Sequence, residues 1–229
     1  MSSGKNGKAR VRVFVDYSNF ARRWESVTKS SPHENFKWDA FPGVILDHLA
    51  RMDHVSAELE MRAIKIYASV KPFDESHPEN EEESLVKQWL KDRGEEGLFK
   101  KWLQDDLDQL PGYTVDISMQ INDPVACSDC GHSADHFVER GVDTKIAIDL
   151  LALATRDLYD IGVLVSEDSD LVPSTKCVQD VLDKHIVHLG FAPKKRIKES
   201  KKDVSRKDEL RASSWGHLLL DDMLPALLR

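Results

Sequence analysis

The sequence predicts an α/β fold: a three-layer α/β/α arrangement around a central, mostly parallel sheet of about five strands. Three observations carry that expectation. Short β-branched runs alternate with helical segments along the 229 residues. Those runs are apolar on both faces, as strands covered by helices on either side must be. Two of them end abruptly in acids, and ligands of open parallel sheets gather outside the carboxyl ends of the strands.

Taken in order, the polar first ten residues read as a disordered tail, and the domain is expected over 11–193. Val11-Arg-Val-Phe-Val15 is a buried strand ending at Asp16, and Tyr17 to Val27 is helical in character. A second helix is expected within Phe41 to Met52, with Pro42 near its start, where a missing N–H costs nothing. Met61 to Val70 is a second strand, stopped by Pro72. A polar loop, Asp74 to Asn80, leads into a charged helical insertion, Glu81 to Leu110, divided near Gly94 and Gly97. Pro111-Gly112 breaks it before a third strand, Tyr113 to Ile121.

Asn122 to Arg140 is loop-like and rich in Cys and His. From Val142, apolar residues at Ile146, Ile148, Leu150, Leu151 and Leu153 predict a largely buried helix. Tyr159 to Val165 is a fourth strand, Leu171 to Leu182 a helix and His185 to Leu189 a fifth strand. A basic linker, 194–214, separates the domain from an amphipathic C-terminal helix, Trp215 to Leu228.

Composition excludes several classes. Hydrophobic residues make up 41% and charged ones 31%, too apolar for a wholly disordered chain. No apolar run reaches the roughly 18 residues of a membrane span, and the N-terminus lacks a secretory h-region, so a cytoplasmic location is expected. Three cysteines are too few for a disulfide framework. The net charge of −8 is unevenly spread. Lys194 to Arg211 holds nine Lys/Arg against four Asp/Glu, so the remaining body is strongly acidic. An acidic body with a basic arm fits an enzyme whose carboxylates hold cations while the arm touches phosphate; it fits a merely soluble surface with a tail as well.

The acids give the sharper argument. Asp16 lies at the exit of the first strand, Asp168 and Asp170 at the exit of the fourth, and Asp143 in the first turn of the long helix, where its charge is favoured. If the two strands are neighbours, four carboxylates converge, and such a group is tolerable only with a cation between them. Hard oxygen donors of this kind suit Mg²⁺ or Mn²⁺, and one or two such ions activate water against a phosphodiester. Asn19 stands ready to orient a carboxylate or the scissile phosphate through its amide, and Ser166 to hydrogen-bond the loop or donate to phosphate. The competing reading makes Asp16 and Asp143 helix caps and Asp168/Asp170 turn formers.

These residues carry a resemblance. Val13-Phe-Val-Asp16-Tyr-Ser-Asn19, Arg140-Gly-Val-Asp143-Thr-Lys-Ile-Ala-Ile-Asp149, and Val163-Leu-Val-Ser-Glu-Asp168-Ser-Asp170-Leu-Val-Pro173 resemble the three motifs of NYN-domain proteins, the LabA-like branch of the PIN-like nucleases. The resemblance spans about Val11 to Phe191. It implies a PIN-like fold, metal-dependent ribonuclease activity, and metal-binding roles for Asp16, Asp143, Asp168 and Asp170, with Asn19 and Ser166 in support. Asp149 also matches the pattern, but it lies about 240° round the helix from Asp143 and is expected to be structural.

Cys127-Ser-Asp-Cys130-Gly-His132-Ser-Ala-Asp-His136 adds a second metal expectation. Its C-x₂-C-Gly turn and two histidines suit structural Zn²⁺, with His185 or His188 as a distant substitute; the bland reading is an exposed loop. Cys177 reads as a core residue. No Gly-x-Ser-x-Gly elbow, P-loop or Gly-x-Gly-x-x-Gly fingerprint is present, and Ser18 and Phe20 break the Asp-x-Asp phosphatase and Asp-x-Ser-x-Ser adhesion patterns. The expectation is therefore a Mg²⁺/Mn²⁺-dependent ribonuclease that holds RNA through 194–211, with Arg22 and Arg23 assisting. Its rivals are an inactive PIN-like module binding RNA or a protein, and a small-phosphate hydrolase. A homo-oligomer or protein partner would use 81–110 or the C-terminal helix.

Overall fold

In a computed structural model of the chain, residues 7–72, 94, 96–126, 130–192 and 209–229 are described. Six parallel strands form the main sheet: β1 (Lys8–Asp16), β2 (Glu58–Val70), β3 (Tyr113–Met119), β8 (Ile161–Val165), β9 (His185–Gly190) and β10 (Gly216–Leu219). Their order is β10-β9-β8-β1-β2-β3. The chain winds outward from β1 in one direction and, starting again at β8, in the other. The reversal therefore falls between β1 and β8, where an open parallel sheet leaves a crevice.

Strand alternation sorts the core into two layers. Val11, Val13 and Val15 of β1 and Ile64, Ile66 and Ala68 of β2 face α1 (Tyr17–Thr28), α2 (Pro32–Asn35) and α3 (Phe41–Leu49). Phe14 and Tyr67 point the other way, towards Val142, Ile146 and Leu150 of α4 (Val142–Thr155) and Val178 of α5 (Val172–Asp180). The first layer is unusually aromatic: Trp24, Phe36, Trp38 and Phe41 are essentially inaccessible, and Phe36 packs edge-on against Trp24 and Phe41.

The six strands exceed the five expected, because the C-terminal segment is not the helix its leucine spacing predicts. Gly216–Leu219 pairs with Val187–Gly190 as an edge strand, followed by a 3₁₀ turn and the four-residue α6 (Leu224–Leu227). Leu220, Met223 and Leu227 are buried, so the same leucines that read as a helical stripe pack as a strand and two turns. Gly216 permits this close packing: a Cβ there would lie 2.3 Å from Met52 Cε.

β1 also begins earlier than expected. Lys8 to Arg10, assigned to a tail, pair with Glu58 to Glu60, and Arg10 is fastened to Asp160 and Asp157 by side-chain hydrogen bonds of 2.8 Å. Residues 81–93 and 95 of the expected Glu81–Leu110 insertion lie outside the described residues; its described end is helical and widens into a π-helical turn over Trp102–Leu107, with Leu103 and Leu107 buried.

The expected loop 122–140 carries two minimal ribbons. β4 (Ile121–Asn122) pairs with β7 (Phe137–Val138), and β5 (Val125–Ala126) with β6 (Ser133–Ala134). Among the described residues no helix is long and apolar enough to cross a membrane.

Candidate active site

Asp16 is the last residue of β1 and the N-cap of α1. Only 3% exposed, it accepts hydrogen bonds from Asn19 N and from Ser166 Oγ, both at 3.0 Å. Burial pushes its carboxyl up to about 6. The neighbouring Glu139 and Asp143 charges add to this, and the two hydrogen bonds only partly offset it.

Across the crevice, Ser166 ends the run after β8. Its hydroxyl donates to Asp16 Oδ2 and accepts from Asp168 N at 3.1 Å, so it joins the two strand exits. Asn19 makes a second tie, its Oδ1 accepting from Glu167 N at 3.1 Å. Of the roles expected for these two residues, these bonds correspond to holding the crevice walls: Ser166 bonds its own loop and the Asp16 carboxylate, and Asn19 bonds the Glu167 amide. Asp168 caps the 3₁₀ turn Ser169–Leu171 by accepting from Asp170 N at 2.9 Å, and Asp170 is exposed.

Asp143 occupies the first turn of α4, behind Gly141, whose φ of 82° is a left-handed conformation suited to glycine. Its carboxyl is raised by partial burial and then by the charges of Asp168, Glu139 and Asp170. The four predicted acids therefore share one electrostatic neighbourhood at the β1/β8 reversal. They do not form a ready coordination shell: among the described residues no group of three or more His, Cys, Asp or Glu is close enough to hold an ion together. The reason is visible for two of them. Asp16 and Asp168 direct oxygens at backbone amides, as caps do, and the competing reading of the sequence holds for both.

The donor chemistry still suits a hard cation. Mg²⁺ commonly keeps most of its waters and uses one or two carboxylates together with substrate phosphate. Two acids held above their ordinary range by burial and by one another would be relieved by it.

A fifth carboxylate escaped the sequence reading. Glu139 Oε2 accepts from Ser18 Oγ at 2.6 Å and from Ser69 Oγ, which fastens the foot of the ribbon to α1 and to the end of β2. Its only signal was adjacency to the Arg140-Gly-Val-Asp143 motif. Asp149, by contrast, accepts from Lys65 Nζ and Tyr67 Oη, both at 2.6 Å, and serves the sheet face. Arg23 is similarly committed, paired with Glu167 at 3.0 Å, bonded to the Ala192 carbonyl and stacked over Phe191. Arg22 is exposed, its Nε bonded back to the Ser18 carbonyl.

For the zinc expectation, Cys127 lies outside the described residues. Cys130, His132 and His136 are exposed, and among the described residues they take part in no metal-holding group. The substitutes are engaged elsewhere: His185 stacks on Trp215 at 4.2 Å, and His188 bonds the Ser166 carbonyl.

The family model for the NYN domain matches residues 10–207. Among solved structures, the chain is similar to a protein of unknown function from Vibrio parahaemolyticus, with a TM-score of 0.50 and 16% identity over 99% of this chain and 100% of that one. That likeness concerns the fold. No curated protein matches the chain significantly.

Proposed function

Since the chain belongs to the NYN domain family of PIN-like proteins, which are usually nucleases that use divalent metals, we propose that it is a Mg²⁺- or Mn²⁺-dependent ribonuclease cutting RNA endonucleolytically. Within the family we assign it to the LabA-like branch, on the three motifs, and to the cytoplasm. The observation that supports the reading is the β1/β8 reversal, where Asp16 is buried, the Asp143 charge raises the Asp16 carboxyl, and the Asp168 and Asp170 charges raise that of Asp143.

A bound hard cation would supply an activated water and neutralise charge on the leaving oxygen. Asp143, Asp168 and Asp170 are the carboxylates with access to solvent and would hold it, with waters and phosphate completing its shell. Asp16, buried and braced, contributes negative charge from the crevice floor. The basic stretch beginning at Lys194 would hold the RNA backbone. The described chain ends its β9 passage at Ala192, beside Arg23 and at the same end of the sheet as the acids. Binding should then weaken steeply with salt.

Cleavage of labelled RNA in Mn²⁺, abolished by EDTA and by Asp168→Asn, tests the proposal. Equal cleavage by the Asn variant would overturn the site. A second reading is favoured by the capping roles of Asp16 and Asp168: a module that binds RNA or a protein partner without cutting it. Tight RNA binding with no cleavage in any divalent metal would support that instead.

A further inference from the structure

His188 sits in β9 beside Leu164 of β8 and His217 of β10, and it is 4% exposed. Its Nε2 lies 2.7 Å from the Ser166 carbonyl oxygen. A carbonyl can only accept, so Nε2 carries the hydrogen and Nδ1 presents a bare lone pair. That Nδ1 is buried and has no hydrogen-bond partner among the described residues. Burial pushes the imidazole down to about 4, with Arg211 and His217 acting in the same direction, so it is neutral in ordinary buffers.

A buried acceptor without a partner is a cost that an apolar side chain at the same place would avoid. What the imidazole provides in return is a single N–H, aimed at the residue whose hydroxyl links Asp16 to Asp168 N. The surroundings conform to the ring: a Cβ on Gly190 would stand 2.6 Å from His188 Cε1, so position 190 has no room for a side chain while the imidazole is there.

We propose that His188 is a positioning residue for the acid-bearing turn: its Nε2–H fixes the Ser166 peptide, and through the Ser166 hydroxyl it sets Asp16 and Asp168 relative to each other. Its role in catalysis rests on the nuclease reading above; its role in shaping the turn does not.

The test uses the full chain with His188→Leu, which removes the donor, and His188→Gln, whose terminal amide can return an N–H near the same point. Amide hydrogen exchange at Asp168 and Glu167, in EDTA and without RNA, should speed up about tenfold or more in the Leu variant relative to Val163 within β8. In Mn²⁺, kcat should fall about tenfold with KM within about twofold, and Gln should recover most of both. Unchanged protection at Asp168 in His188→Leu would overturn the proposal, as would a Gln variant no better than Leu.

If the Leu variant does not fold, His188→Asn replaces it. Its amide stops about one bond short of Ser166, so Asn and Gln behaving alike also refutes the assignment. If the parent cleaves no RNA, the nuclease reading fails, and the exchange measurement alone still decides the role of His188.

Discussion

Replacing Asp16 with Asn should make the metal-free protein more stable while removing its function. Asp16 titrates near 6 in the fold against an ordinary value of 3.8. The native state therefore binds more protons than the unfolded chain between those two values, and stability is lost as pH rises through that window. Above both values, at about 1.36 kcal/mol per unit, the ionised carboxylate costs the fold about 3 kcal/mol, and about 1 kcal/mol remains near pH 4.5. Asn keeps the cap, because its carbonyl oxygen accepts from Asn19 N as Asp does. Its amide meets a Ser166 hydroxyl that can rotate to accept. Urea unfolding in EDTA at about pH 8 should show a gain of about 1–3 kcal/mol for Asp16→Asn, shrinking towards about pH 4.5. Added Mn²⁺ should stabilise the parent more than the variant, because the variant lacks one negative charge beneath the ion. A variant less stable than its parent at alkaline pH, or a difference independent of pH, would refute the argument.

Two further substitutions probe the two ends of the sheet. Glu139→Gln keeps an acceptor for Ser18 and Ser69 but removes one charge facing Asp16 and Asp143. Calorimetric titration should show Mn²⁺ binding weakened severalfold, with metal-free stability equal or up to about 1 kcal/mol higher. Arg10→Met severs the bonds that hold Asp160 well below the usual carboxylate range, at the end of the sheet remote from the acids. With both partners partly exposed, thermal unfolding should show a loss of about 1–2 kcal/mol near neutral pH, vanishing in acid as Asp160 protonates, with RNA cleavage unaltered.

The sheet was legible because its signals are local. A run such as Val11 to Val15 ending in Asp16 states both a buried strand and its carboxyl end within six residues. The bracing of the crevice was not legible. Ser69 and Ser18 reach Glu139 from 70 and 121 positions away, and His188 reaches Ser166 across 22. Such partners are set by strand order, which no short window of sequence contains. β10 failed for a different reason. Leu218, Leu219, Leu220, Met223, Leu224 and Leu227 satisfy a helical period and a strand-then-turn equally well, and the vacant edge of β9 decides between them. For Asn19 and Ser166 the sequence left two tasks open, since hydroxyls and amides at a crevice can hold the walls as readily as the ligand, and their bonds to Glu167 N, Asp16 and Asp168 N hold the walls.

The sixth strand follows the basic stretch in sequence, yet it belongs wholly to the folded body. Trp215 is lodged between His54 and His185, and Leu220, Met223 and Leu227 lie inside the aromatic layer. A single peptide bond hydrolysed within 193–208 would separate this C-terminal piece covalently while leaving its ladder to β9 and its buried contacts intact. The two pieces would then be complementary fragments, and their reassociation through the β9–β10 ladder would rebuild the sheet edge.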